Sequence, residues 1–321
     1  MILEEICLIK IKLKYLVVSV CILILVVGLS AVVFSGKEIK TNHFQKDEIS
    51  FDYPDTWITS NQTRDYEIIG FTDPASDLNV SFNRILVPTG YKPSDNFTLN
   101  ITQADQSGFR FISHKTLDLN GTKMEKNVYQ LNSTGKTLQR TEMWINKNDA
   151  LYSIIFTTSN LNLNESSPEI KVLINNLTIN KTTVNNTEVW GQISIPTQNL
   201  NWNIREDTVN KLGSVYHYSN SFYPGQNGTI GLLGHHTIYS APFANINQLN
   251  AGDHVIITDY LTQKKYVYEV TSNGDIKTDY KTNPVQFPGG TFELTLVTCY
   301  PPGLQEAAYM THLKLVAVQP I

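Results

Sequence analysis

A thiol and an imidazole that meet at the ends of two neighbouring strands can form and break acyl bonds, and this chain has residues placed to do so. Phe292, Leu294 and Leu296 alternate with Glu293, Thr295 and Val297, the period-two pattern of a half-buried strand. Tyr300-Pro301-Pro302 ends the run, because proline has no N–H to give to a ladder. Cys299 therefore falls at a strand end, and it is the one cysteine outside the first sixty residues. Packed in a core it would be a small apolar residue. Upstream, Gly228-Thr229-Ile230-Gly231-Leu232-Leu233 reads as a second apolar strand, and Gly234-His235-His236-Thr237 follows it. An imidazole near a thiol can take its proton and later return one to a leaving group, which makes a Cys and a His a minimal catalytic pair.

Adjacent residues of an extended chain point to opposite faces, so only one of His235 and His236 can meet Cys299. A zinc site built from Cys299, one of these histidines and His312 is the rival chemistry. It lacks the close ligand pairs usual for zinc, so no metal and no cofactor are expected.

Thr295 to Cys299, TLVTC, together with Gly234-His235, resembles the paired motifs of the sortases, surface cysteine transpeptidases. Thr237 to Phe243, followed by Leu249 to Asp253, is similar to the stretch after the family histidine, Cys299-Tyr300-Pro301-Pro302 resembles the class D and class E branches, and the likeness runs from about Val189 to Val318. It implies a closed eight-stranded β-barrel, a Cys299 nucleophile that forms a thioester, and His235 as general acid and base. It also implies partners: C-terminal sorting signals of surface proteins, and an amine acceptor on the cell envelope or on a protein subunit. His236 is left with a loop-supporting role. Sortases carry an arginine on the last strand. Counting back from Leu315-Val316-Ala317 places His312 there, with Lys314 on the same strand face as a second donor and Thr298 beside the substrate. The only arginine after residue 188 is Arg205, in an expected loop, and the family role is not carried onto it. The missing arginine keeps open a second reading, a sortase-fold module that binds sorting signals or envelope polymers without catalysis.

Other elements must place this pair on the right side of a membrane. The chain has 321 residues, 41% of them hydrophobic, and a formal charge of -4, enough for two ordinary domains and an anchor. It lacks the basic excess that a nucleic-acid partner requires. Tyr15 to Phe34 is apolar or small throughout. About 20 residues at a helical rise cover roughly 30 Å, so this stretch is expected to be a transmembrane signal anchor, with residues 1–14 cytoplasmic and Lys10, Lys12 and Lys14 favouring that side. Asn-x-Ser/Thr recurs at Asn61, Asn79, Asn96, Asn100, Asn120, Asn132, Asn164, Asn176, Asn180, Asn185 and Asn227, which suits the exterior face of a single-pass membrane protein. The density of these sequons and the Ile, Asn, Lys and Thr bias suit an archaeal surface.

Residues 43–180 read as an α+β domain with an antiparallel sheet. Strand-like runs at 66–71, 78–87, 108–119, 124–131, 137–145 and 151–157 are joined by hairpin turns at Asn120-Gly121 and Asn148-Asp149. Ser167, Pro168 and the spacing of Ile170, Leu173, Ile174 and Leu177 predict a closing helix. The opening Phe51 to Trp57 and the segment around Leu177 resemble PsbP-like domains. A spacer or binding module is expected here, then a polar linker over 181–188 and the all-β domain over 189–321.

Overall fold

The computed structural model describes residues 39–61, 64, 66–88, 91, 108–119, 121–133, 135–147, 149–180 and 189–321. The apolar stretch 15–34 and the linker 181–188 lie outside them. Among the described residues no helix is long and apolar enough to cross a membrane.

The C-terminal half is a closed barrel. Strands β11 (Val189–Ile195), β12 (Leu200–Arg205), β13 (Ser214–His217), β14 (Thr229–Leu233), β15 (His254–Asp259), β16 (Lys264–Lys277), β17 (Glu293–Tyr300) and β18 (Ala307–Pro320) close in the order β11-β12-β13-β14-β17-β18-β16-β15. Alternation decides the inside. Ile230, Leu232, Leu294, Leu296, Leu313 and Leu315 are buried in one core with Ile193, Ile204, Val255 and Tyr266. Closure leaves no strand edge unpaired. Strands β14 and β17 run parallel, which is what brings residues more than sixty positions apart to the same end of the barrel.

The N-terminal half is built on a seven-stranded antiparallel sheet. Strands β3 (Ile58–Ser60), β4 (Glu67–Thr72), β5 (Asn79–Leu86), β6 (Phe109–Leu119), β7 (Thr122–Ser133), β8 (Lys136–Lys147) and β9 (Ala150–Thr158) lie in the order β3-β4-β5-β9-β8-β7-β6. Gly121 and Asp149 take the positive φ (81° and 58°) that tight hairpins need, at two of the expected turns. A smaller sheet of β1 (Thr41–Lys46), β2 (Ile49–Pro54) and β10 (Thr178–Ile179) packs with helix α1 (Pro168–Asn175) on one face. The Ser167 hydroxyl does not cap that helix. It accepts from the Asn164 N–H at 3.1 Å, and Leu177 packs on the core from beyond the last turn.

The other face of the large sheet meets the barrel, so β8 is buried along its middle on both sides. Met143 and Ile145 face the helix, while Glu142 and Trp144 point the other way, and Trp144 joins Tyr129, Leu151 and the barrel residues in one continuous core. At this junction Arg140 Nε lies 2.8 Å and Lys264 Nζ 3.2 Å from the Glu142 carboxylate, with Trp144 Nε1 donating to it at 3.2 Å. Burial alone would raise the Glu142 pKa, but Lys264 and Arg140 bring it below the ordinary value. Arg140 also donates to the Ile321 carbonyl at 3.1 Å, and Lys264 sits 5.0 Å over the Tyr129 ring. The N-terminal sheet is thus fastened to the barrel by buried charge.

Candidate active site

Leu233 on β14 stands opposite Val297 on β17. Two residues further along lie His235, just past the end of β14, and Cys299, the last residue but one of β17, at the same end of the barrel. The backbone holds them there through the Gly234 N–H, which donates to the Val297 carbonyl at 3.1 Å, and the Thr298 hydroxyl, which donates to the Gly234 carbonyl at 2.8 Å. Gly234 is required by close approach, since a Cβ there would come within 2.5 Å of the Phe243 ring. Phe243 reaches that place because Tyr239, Ser240 and Ala241 turn the chain back through positive φ, and its N–H donates to the His235 carbonyl at 3.1 Å.

The two histidines separate as alternation requires. His235 is half-buried, its Nε2 is 2.9 Å from Asn210 Oδ1, and its ring packs on Tyr239 at 5.1 Å between centroids. Asn210 comes from the loop between β12 and β13. His236 turns the other way and its Nδ1 donates to the Cys299 backbone carbonyl at 3.0 Å, so it fastens the loop to the end of β17. The Cys299 thiol is half-buried and free. Burial raises its pKa, and burial lowers that of His235, so at neutral pH both groups rest uncharged.

An apolar floor adjoins the thiol. Val297, Ala308 and Met310 form a buried cluster on the outer face of β17 and β18, with Leu233, Tyr218, Tyr280 and Val285 packed against it. The Tyr218 phenol is pushed up to about 12 by burial first, then by Cys299, Tyr216 and Tyr280, so it stays a proton donor.

Of three further expected site residues, His312 and Lys314 are not brought to Cys299, and Thr298, its chain neighbour, is buried. Position 312 pairs across the strands with Thr295, whereas Ala308 is the residue opposite Cys299. His312 is therefore four residues, roughly 13 Å, along β18 from that level, and its ring lies 3.3 Å from the Thr295 hydroxyl and 3.2 Å from Asp275. Counting back from the apolar end of β18 failed because β18 runs much further than the apolar run that marks it, from Ala307 to Pro320. Lys314 lies further still, paired with Glu269 at 3.1 Å on the exposed surface. Thr298 is buried, and its hydroxyl is already committed to Gly234, so it positions the strand and does not face a substrate. Arg205, an expected loop residue, ends β12 and is held by Asp207. Among the described residues no group of three or more His, Cys, Asp and Glu is arranged to hold a metal ion.

Sequence reasoning missed Asn210 and Tyr218. Both stand in or beside polar loops with no motif around them, and only the pairing of β13 with β14 brings them to the site.

Residues 193–316 match the family model described as the sortase domain. No curated protein matches the chain. Among solved structures, sortase A of Listeria monocytogenes is 22% identical over 42% of this chain and 92% of its own, with a TM-score of 0.37. Sortase E1 of Streptomyces coelicolor, solved with a tripeptide in its active site, is 23% identical over 41% of this chain and 91% of its own, at 0.35. A Clostridium perfringens sortase D5 transpeptidase is 27% identical over 42% and 82%, at 0.36. The closed eight-stranded barrel is the one expected of a sortase domain.

Proposed function

We propose that this protein is a cysteine transpeptidase of the sortase type. The observation that carries the reading is that Cys299 and His235 lie at the same end of two parallel strands, within a segment that matches the sortase domain. The Cys299 thiol passes its proton to His235 as its sulfur attacks the backbone carbonyl of a residue in a C-terminal sorting signal of a surface protein. The amide bond breaks, the departing amine takes a proton from His235, and an acyl thioester remains. An incoming amine from the envelope or from another subunit, deprotonated by His235, then releases the thiol and forms a new amide. Asn210 orients the imidazole through its 2.9 Å contact. The apolar floor of Val297, Ala308 and Met310 takes an apolar side chain of the signal.

With Ala308 opposite Cys299, no guanidinium is supplied from that position to the oxyanion. The protonated Tyr218 phenol on the same floor is the donor we assign to it. We also read the stretch 15–34 as a single-pass anchor that confines enzyme and substrate to one membrane surface and so raises their effective concentration. The PsbP-like N-terminal half serves as a spacer or binding module on the exterior face.

The absence of an arginine from the position facing Cys299 favours a second reading, a barrel that binds sorting signals without turning them over. Incubating the full chain with a pool of threonine-containing sorting-signal peptides and hydroxylamine separates the two. A peptide hydroxamate that disappears in Cys299→Ala supports catalysis. Peptide binding without any hydroxamate supports the module.

A further inference from the structure

We infer that the cleft between the N-terminal sheet and the barrel is a second binding site, for a short acidic oligosaccharide. The cleft has a volume of about 650 Å³ and lies away from Cys299, lined on one side by Asn203, Gln192, Thr258 and Lys265 of the barrel. These four are cross-strand neighbours in a single row. Asn203 pairs with Gln192, Gln192 with Thr258, and Thr258 with Lys265, across β12, β11, β15 and β16. Four strands at about 4.8 Å spacing make a row roughly 14 Å long, the length of a short oligosaccharide. None of the four side chains has a hydrogen-bond or ion-pair partner among the described residues, so two amides, a hydroxyl and an ammonium face the cleft with their capacity unspent.

The N-terminal half supplies the opposite wall with Lys46, Arg64 and Tyr66. Among the described residues no carboxylate pairs with Lys46, Arg64 or Lys265, whereas Arg84 is held by Glu48 at 2.7 Å. Asp47 and the buried Glu67 offset two of these three charges, Arg64 lies 5.9 Å over the Tyr66 ring, and the small positive balance that remains favours an anion. Tyr66 and Tyr260, one from each half, pack at 4.7 Å between centroids in the same wall and add aromatic surface suited to the C–H face of a sugar ring. A peptide fits less well. Strand addition, one common way for an extended peptide to bind, is closed off on the barrel side of this cleft, where only side chains are offered. Amides and a hydroxyl in a row instead match the repeated hydroxyls of a linear glycan, and the cations match its carboxylates.

The test is titration of the full chain by calorimetry with trigalacturonate, maltotriose and triglutamate. The site predicts that trigalacturonate binds, that maltotriose binds at least tenfold more weakly, and that raising the salt concentration weakens the acidic ligand. Lys265→Ala and Gln192→Ala should each weaken trigalacturonate at least fivefold at an unchanged melting temperature. Cys299→Ala should bind as the parent does, which keeps this inference separate from the thioester reading. Triglutamate binding as tightly as trigalacturonate, no trigalacturonate binding at millimolar concentration, or indifference to both cleft substitutions would each overturn it.

Discussion

The two ends of the barrel treat their reactive groups in opposite ways. At the rim, Cys299 is left half-buried with a free thiol, and the hydrogen bonds around it go to its backbone and to Gly234. At the junction with the N-terminal sheet, Glu142, Arg140 and Lys264 are buried and fully engaged with one another. Charge buried and paired fixes geometry, whereas a neutral thiol and a neutral imidazole at the same end of two strands remain available for proton transfer. On the proposed reading, one end is built to stay as it is, and the other to react.

That contrast breaks most sharply at His235. His235→Ala should lower kcat/KM about 10²–10⁴-fold, the usual worth of a general acid and base, while the melting temperature holds, because among the described residues the ring's hydrogen bond and ring contact are with Asn210 and Tyr239. Steady-state kinetics beside a thermal scan would check both halves of the expectation. The reverse pattern is expected at Lys264. Lys264→Met leaves the Glu142 charge buried with one partner fewer, and the loss of stability should be about 3–5 kcal/mol. Replacing Arg140, Glu142 and Lys264 together by apolar residues should restore most of it in a denaturant titration.

Tyr218→Phe removes a hydroxyl from the floor beneath the thiol without emptying the space. We expect kcat to fall about 10²-fold with little change in KM, and His312→Ala, far along β18, to leave both constants alone. The smallest effect concerns acidity. Burial, not a nearby charge, raises the Cys299 pKa, so the rate of alkylation by iodoacetamide should climb with pH to a midpoint above the ordinary thiol range. His235→Ala should leave that midpoint where it is. A midpoint that moves would mean the two groups share a proton at rest.

Much of this site was legible before any coordinates. Alternation in residues 292–297 placed β17, and the proline pair after Tyr300 marked its end, one residue beyond Cys299. The Gly-His step was legible too, although its physical reason, the Phe243 ring against Gly234, was not. The strands β12 and β13 escaped notice because they are short and polar on their outer face, and Asn210 was lost with the loop between them. His312 and Lys314 were misplaced for a common cause. Register between β17 and β18 is set by pairing that no pattern within one strand reveals, and a shift of a few residues moves a side chain by several ångströms along the barrel. The junction was invisible for a related reason. Arg140, Glu142 and Lys264 look like ordinary surface charges in sequence, and only the sheet's burial on both faces turns them into a buried network.

The central claim is that Cys299 carries an acyl group, and intact-mass analysis of the full chain mixed with sorting-signal peptides tests it most directly. The account predicts a peptide-sized adduct on Cys299 that is absent in Cys299→Ala, diminished in His235→Ala and released by an added amine. No adduct from any peptide, in protein whose Cys299 still alkylates, would contradict it.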